Sequence, residues 1–273
     1  MDPIQVILLV ILGVFVGTLG TLIGAGGGFI LTPILLLTHK EWSQETITGV
    51  SLGVIFCNGL SGTIGYMRRR RVDLRSALWF SAAAIPGSLV GLAVQPYIPR
   101  NVFAMMLAAF LVFVSLLLLI KGEPVRARGT GSAPIGEDFW GPSVPHHRPT
   151  GIAIAFVAGV VASLLGIGGG IIHVPAMVHL MEFPVHTAIP TSHFVLAASA
   201  ASATAGHLWD GSLQPGLWHV VTIGIGAIIG AQVGAAISDR VSGPVILRLL
   251  GVALLVVASR VIWVTLTAPV TAH

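Results

Sequence analysis

Charged residues are scarce in this chain of 273 residues, since only 9% are Asp, Glu, Lys or Arg, against about 25% in an ordinary soluble domain. This scarcity excludes a typical soluble globular protein. The single cysteine, Cys57, excludes an intrachain disulfide. The chain begins Met1-Asp2-Pro3-Ile4 and lacks the basic segment that opens a signal peptide. We therefore expect the first apolar run to be retained.

Apolar residues take the place of the missing charges. They make up 55% of the chain, and the mean hydropathy is +0.94, which predicts an all-α polytopic membrane protein. The net charge is +4, but the basic residues cluster between apolar runs. That pattern is typical of membrane topology and not of a nucleic-acid-binding face. The expected partner is the lipid bilayer, with no nucleic acid.

Eight apolar windows follow one another, at about 4–38, 46–66, 76–95, 101–120, 151–180, 186–208, 216–237 and 244–266. A spanning helix needs about 20 residues, so the first and fifth windows are too long for one straight crossing. Residues 122–149 are rich in Pro, Gly, His and charges, which predicts a linker at the membrane surface. This linker separates a first membrane repeat, 1–121, from a second, 150–273.

The two overlong windows contain the same motif. Residues 22–28 are Leu-Ile-Gly-Ala-Gly-Gly-Gly and residues 164–170 are Leu-Leu-Gly-Ile-Gly-Gly-Gly, 142 positions later. A proline follows each motif at the same distance, as Pro33 and Pro175. The offset stays between 141 and 143 across the rest of the half, which indicates a duplication.

The glycine clusters are the predicted substrate site. Glycines inside hydrocarbon are costly unless the freed backbone groups face protein or a cavity, and a duplicated broken segment points to the site of a secondary transporter. A helix that restarts after such a turn has free N–H groups and a positive end, which favour an anion. Thr21 and Thr32 add hydroxyl donors nearby. We assign substrate contacts to Gly26, Gly27, Gly28, Gly168, Gly169 and Gly170. Close helix packing through small residues is the alternative interpretation.

The basic residues bear on the orientation of the halves. If every window crosses once, the halves are parallel. Nine basic residues then lie on the same side of the membrane as Arg68, and four lie on the other side. If the first and fifth windows are hairpins that turn at the glycines, the halves are inverted and the count is eleven against two. Basic loops of a bacterial inner-membrane protein are cytoplasmic, so we expect Arg68–Arg71 and the linker 122–149 there. The charge count and the window lengths favour inverted halves, with both termini outside the cytoplasm.

Matching polar stripes lie on the second and sixth windows. One stripe consists of Ser51, Asn58, Ser61 and Gly65, and the other, with the same spacing, of Ser192, Ser199, Ser202 and Gly206. Each stripe occupies one helix face and lines a substrate path or joins helices by hydrogen bonds. Because an unpaired asparagine is costly to bury, Asn58 favours the path.

Five histidines of the second half have no histidine counterpart in the first: His173, His179, His186, His193 and His207. An ionisable residue inside a membrane segment is a functional candidate, and histidine exchanges protons near neutral pH. We therefore assign His193 to substrate contact and both His193 and His207 to proton coupling. A buried, neutral, hydrogen-bonded histidine is the alternative. His179, Glu182 and His186 are spaced only loosely like metal ligands, so we expect no metal and no cofactor.

Both glycine–proline motifs, together with the segment Thr191-Ser192-His193-Phe194, resemble the TauE/SafE sulfite exporter family over about residues 5–265. The resemblance implies an inner-membrane permease that moves small sulfur-containing anions, such as sulfite, sulfoacetate or other organosulfonates, usually outward. It also implies that Ser51, Thr191 and Ser192 belong to the substrate site. Val50 is the first-half counterpart of Thr191, and Pro190 stands where glycine is common, so the identity of the anion stays open.

The sequence thus predicts a secondary transporter, not an enzyme. Its two halves each contain a glycine-broken first element and three spanning helices, and they alternate access around a site at the membrane midplane. The expected partners are a small anionic substrate and the bilayer, and a homodimer is compatible with the sequence. A small-anion channel that uses the same helix ends is one alternative. An intramembrane enzyme that uses the histidines and Glu182 is the other.

Overall fold

A computed structural model describes residues 2–120, 148–241 and 243–267 of the chain, and the regular elements among these residues are all helical. Within the described residues, the ten α-helices are α1 (Pro3–Ile23), α2 (Gly28–Thr38), α3 (Gln44–Met67), α4 (Leu74–Val94), α5 (Arg100–Ile120), α6 (Arg148–Leu165), α7 (Gly170–His179), α8 (Val185–Trp209), α9 (Leu217–Ile237) and α10 (Gly243–Thr267). The predicted all-α membrane fold is confirmed. Apart from its last two positions, the predicted linker 122–149 lies outside the described residues.

Both overlong windows are broken at their glycines. α1 ends at Ile23 and α2 begins at Gly28, while α6 ends at Leu165 and α7 begins at Gly170. Five of the intervening glycines have positive φ angles between 65° and 83°: Gly24, Gly26, Gly27, Gly166 and Gly168. L-residues with side chains rarely adopt this conformation. The clusters therefore end one helix and allow the chain to turn into the next.

The first helix of each half packs on the other half. α1 and α9 run side by side in the same direction, because Gly13 meets Ile223 and, one turn further, Gly17 meets Ala227, with backbone against backbone. α6 and α4 make the equivalent parallel pair through Gly87, Gly91 and Gly159. At these glycines a side chain would collide with the facing helix, so the small residues permit the close approach.

α3 and α8 form the centre of the molecule and run in opposite directions. Gly49 lies against His207 at one end of the pair, and Gly62 lies against His193 further along. α3 runs parallel to α9, since Gly53 contacts Val220 and the hydroxyl of Ser61 donates to the carbonyl of Ile228 at 2.9 Å. α1, α3 and α9 therefore share one direction, and α8 has the opposite one.

α2 runs back along α3. Gly28, at the start of α2, lies against Ile55, and the hydroxyl of Thr32, one turn later, lies 2.9 Å from the hydroxyl of Ser51. Because the partner on α3 comes earlier in the chain as α2 continues, α2 and α3 are antiparallel. Because α1 has the same direction as α3, α1 and α2 form a helical hairpin with its tip at the first glycine cluster.

The outer faces of the helices are apolar, as expected of a protein in a bilayer. Large exposed side chains on these faces include Ile7, Phe15, Met105, Phe113 and Val256. Among the described helical segments, five are individually long and apolar enough to cross a membrane: Pro3–Ile23, Gln44–Met67, Leu74–Tyr97, Arg100–Ile120 and Gln214–Ile237. The chain is a multi-pass membrane protein.

Candidate functional site

The two glycine turns meet at the centre of the molecule. We call residues 24–28 the first turn and residues 166–170 the second turn. A Cβ on Gly28 would lie 2.8 Å from the carbonyl oxygen of Gly166, and a Cβ on Gly170 would collide with the carbonyl of Gly24. Ala25 is fully buried in the first turn, as is Ile167 in the second. The turns touch backbone to backbone, and only glycine permits this contact at positions 28 and 170.

A serine of each half donates to the turn of the other half. The hydroxyl of Ser51 lies 2.6 Å from the carbonyl oxygen of Gly166, and the hydroxyl of Ser192 lies 3.4 Å from that of Gly24. Thr32 adds a second hydroxyl at 2.5 Å from the oxygen of Gly166. The structure therefore brings both predicted serines to the predicted glycine turns.

The ends of two helices point into this contact. α2 begins at Gly28 and α7 at Gly170, and the first N–H groups of a helix have no partner within it. Each helix start faces a carbonyl of the opposite turn, from Gly166 or from Gly24. The site thus combines positive helix ends with hydroxyl donors, which is the chemistry that binds oxyanions at helix N-termini.

A buried polar cluster adjoins the first turn around Thr21. The hydroxyl of Thr21 donates to Oδ1 of Asn58 at 2.9 Å, and Nε2 of His193 lies 3.2 Å from the same hydroxyl. Because that hydroxyl has one proton, which it gives to Asn58, Nε2 of His193 is the donor to Thr21. The hydroxyl of Tyr66 donates to the carbonyl of Thr21 at 2.9 Å, and its ring contacts the ring of His193 edge to face at 5.8 Å.

Two polar atoms of this cluster have no hydrogen-bond partner. They are Nδ2 of Asn58 and Nδ1 of His193, and both residues are fully buried. A buried polar group without a partner costs free energy. Asn58 therefore offers an unused donor beside the first turn, and the backbone of Ile189, one turn earlier in α8, lies near the ring of His193.

Two other residues assigned from sequence make their hydrogen bonds outside the turns. The hydroxyl of Thr191 accepts a bond from the backbone N–H of Asp73 at 3.0 Å, where α4 begins. His207 bonds through Nδ1 to the hydroxyl of Ser212 at 2.8 Å, beyond the end of α8. It lies 14 residues from His193, or about 21 Å along the helix, so the structure does not bring the two histidines together.

The polar stripes contribute to the packing between helices. Ser61 donates across to α9 and accepts a bond from Nε2 of Gln232 at 2.8 Å. Ser202 bonds to Ser88 of α4 at 2.6 Å. Of the first stripe, only Ser51 and Asn58 belong to the turns and their adjoining polar cluster. Tyr66 was not among the residues assigned from sequence. Its rarity was an indication, since it is one of two tyrosines in the chain.

Among the described residues, no group of three His, Cys, Asp or Glu side chains is placed to hold a metal ion. His179, Glu182 and His186 are not such a group, although they lie near one another in sequence between α7 and the first turn of α8.

Comparison with known proteins gives a consistent result. A family model described as sulfite exporter TauE/SafE matches residues 9–261. The chain is 32% identical to "Probable membrane transporter protein YunE" of Bacillus subtilis (strain 168), with 94% of this chain and 97% of the relative covered. A "Probable membrane transporter protein" of Xylella fastidiosa (strain Temecula1 / ATCC 700964) is 24% identical with 92% of each chain covered. No solved structure matches the chain.

Proposed function

Since the chain belongs to the TauE/SafE sulfite exporter family and is a membrane transporter, not an enzyme, we propose that it exports small sulfur-containing anions such as sulfite or organosulfonates across the bacterial inner membrane. The observation that carries this proposal is the meeting of two helix starts and two serine hydroxyls at the glycine turns. Helix N-termini and hydroxyls bind an oxyanion without a buried basic side chain.

In the contact between the turns, the carbonyls of Gly24 and Gly166 occupy the places that an anion would take. The described arrangement is then a closed one. When one hairpin tilts away from the other, the carbonyls withdraw, and the N–H groups of α2 and α7 and the hydroxyls of Ser51 and Ser192 become free for the substrate. Such rocking of one repeat against the other is the usual form of alternating access.

We propose that the two halves are inverted repeats. The opposite directions of α3 and α8, which occupy equivalent places in the halves, support a two-fold axis in the membrane plane. The hairpin of α1 and α2 supports the same arrangement. The loop Arg68–Arg71 and the linker 122–149 then face the cytoplasm, and both termini lie outside it. A reporter fused after His273 that proves to be cytoplasmic would contradict this topology.

His193 is the better placed of the two proposed proton carriers. It belongs to the polar cluster beside the first turn, whereas His207 lies at the far end of α8. A proton on His193 would be close enough to an anion at the turns to stabilise it, and deprotonation would favour release. Transport of the anion would in this way be coupled to a proton.

The proposal is tested with purified protein in liposomes loaded with sulfite, sulfoacetate or acetate. Efflux of sulfite or sulfoacetate above that of empty liposomes, with little efflux of acetate, is the expected result. Absence of flux for every small sulfur anion would overturn the proposed substrate class. Rates that rise without saturation would indicate the channel alternative.

A further inference from the structure

The two glycines that precede α2 and α7 are equivalent in sequence but differ in surroundings. Gly27 has a φ of 83°, and a Cβ on it would lie 2.5 Å from Cγ1 of Val16 and 2.7 Å from the Val16 carbonyl oxygen. Gly169 has a φ of −66°, which any residue adopts. The nearest atom to a Cβ on Gly169 is Cδ2 of His173 at 3.6 Å, followed by the carbonyl oxygen of Ala158 at 3.7 Å. Glycine is thus required by conformation and space at Gly27 and by neither at Gly169.

Small residues create the space beside Gly169. Ala158 stands 142 positions after Val16, so the second half has a methyl group where the first has a branched side chain. The third neighbour of Gly169 is Cβ of Ala162 at 3.8 Å, on the same face of α6. The start of α7 therefore has room for a methyl group at ordinary van der Waals distance, and the start of α2 does not.

His173 borders this space and has unused hydrogen-bonding groups. Its side chain is 2% exposed, and neither Nδ1 nor Nε2 has a partner with hydrogen-bond geometry, although the backbone of Ala155 lies near the ring. The ring of Phe80 lies edge to face against it, with ring centroids 6.2 Å apart. Helix side chains tilt toward the N-terminus, and the Cδ2 edge of this ring lies against Gly169. A buried imidazole without a well-formed hydrogen bond, whose Cδ2 edge lies against the start of a helix, favours a ligand at that position.

The equivalent residue of the first half is apolar. Leu31 stands 142 positions before His173 and is fully buried. The duplicated turns therefore differ in two respects that both favour the second: the space that small residues leave beside the glycine, and a histidine in place of leucine.

We propose that the transported anion is held at the second turn, where His173 donates a hydrogen bond to one of its oxygens and the first N–H groups of α7 bind the others. This assignment rests on the proposed function and makes the substrate site asymmetric. A neutral imidazole has one N–H donor and one acceptor nitrogen, so His173 binds the oxyanion without a permanent charge in the membrane. The first turn closes over the anion through Ser192, Thr21 and Asn58 and lacks a binding side chain of its own at Leu31.

The test measures the dissociation constant for sulfite by titration of the melting temperature of the purified full-length protein in detergent. The variants are His173→Leu, which installs the first-half residue, His173→Gln, which keeps one amide donor, and Gly169→Ala, which fills the space. His39→Leu, in the loop after α2, is the matched control for loss of a histidine.

We expect His173→Leu and Gly169→Ala to weaken sulfite binding by about tenfold or more, the ratio that one hydrogen bond to a charged group supplies. His173→Gln should lose less affinity for sulfite, and His39→Leu should bind sulfite as tightly as the wild type. The melting temperature without sulfite should remain close to that of the wild type for Gly169→Ala, because its new Cβ has no contact under 3.6 Å.

Wild-type affinity for sulfite in both His173→Leu and Gly169→Ala would overturn the inference and leave the proposed transport intact. If His173→Leu does not fold, Gly169→Ala and His173→Gln decide the question in the same way. Failure of the wild-type protein to bind sulfite or any organosulfonate would instead overturn the proposed function, and the inference with it.

Discussion

The hydroxyl of Ser51 lies 2.6 Å from the carbonyl oxygen of Gly166. A side chain of the first half thereby holds the glycine turn of the second, and Thr32 donates to the same oxygen. The reverse contact, from Ser192 to Gly24, is longer at 3.4 Å. The two halves are joined at the proposed substrate site, and the second turn is bound more firmly than the first.

Ser51 and Thr32 should be partly redundant. In Ser51→Ala, Thr32 still satisfies the oxygen of Gly166, so we expect a loss of about 1 kcal/mol or less in stability. In the double variant Ser51→Ala/Thr32→Val, that oxygen is left buried without a donor, and the loss should exceed the sum of the two single losses. Melting temperatures of the three variants in one detergent check this, and strictly additive shifts would contradict it.

Gly170→Ala should disrupt the contact between the turns. The new Cβ would collide with the carbonyl of Gly24, which is backbone and cannot rotate away. We expect a large fall in the melting temperature together with loss of sulfite flux. Gly211→Ala is the matched control, since Gly211 has a φ of 78° and no atom within 4 Å of its Cβ position. The stability lost in Gly211→Ala should be limited to backbone strain of about 1–2 kcal/mol. Equal falls in melting temperature and flux for both variants would contradict the account.

His193→Gln should separate sulfite movement from proton movement. Glutamine keeps an amide that can donate to the hydroxyl of Thr21, which His193 approaches at 3.2 Å, but it does not titrate. We expect sulfite exchange between the two sides of a liposome to persist while a pH gradient no longer drives net flux. The measurement pairs sulfite flux with an internal pH dye. A pH-driven flux as large as that of the wild type would show that His193 is not the proton carrier.

Much of the fold was predictable from hydropathy and glycine alone. The apolar windows agree with the helix bounds within a few residues, and both clusters break their windows because five of the glycines adopt a conformation that other residues avoid. These features depend on local sequence. That Ser51 and Ser192 belong to the site was implied by the family resemblance and not by their spacing.

Tertiary pairing could not be predicted in the same way. Thr191 and Ser192 are neighbours in sequence, yet one bonds to the backbone of Asp73 and the other to that of Gly24, because adjacent residues of a helix face different directions. The Arg100 side chain, counted in the sequence only as a charge, donates to the carbonyls of Leu36 and His39 at the end of α2. Such contacts depend on which helices meet.

Counterflow of radiolabelled sulfite tests the central claim most directly. Liposomes that contain the protein and a high concentration of unlabelled sulfite are diluted into a trace of labelled sulfite. An alternating site between the two turns exchanges one anion for another, so the label should accumulate inside above its external concentration before it declines, and Gly170→Ala should abolish this peak. Entry of label that only rises to equality, or no entry at all, would contradict a sulfite transporter built on the two glycine turns.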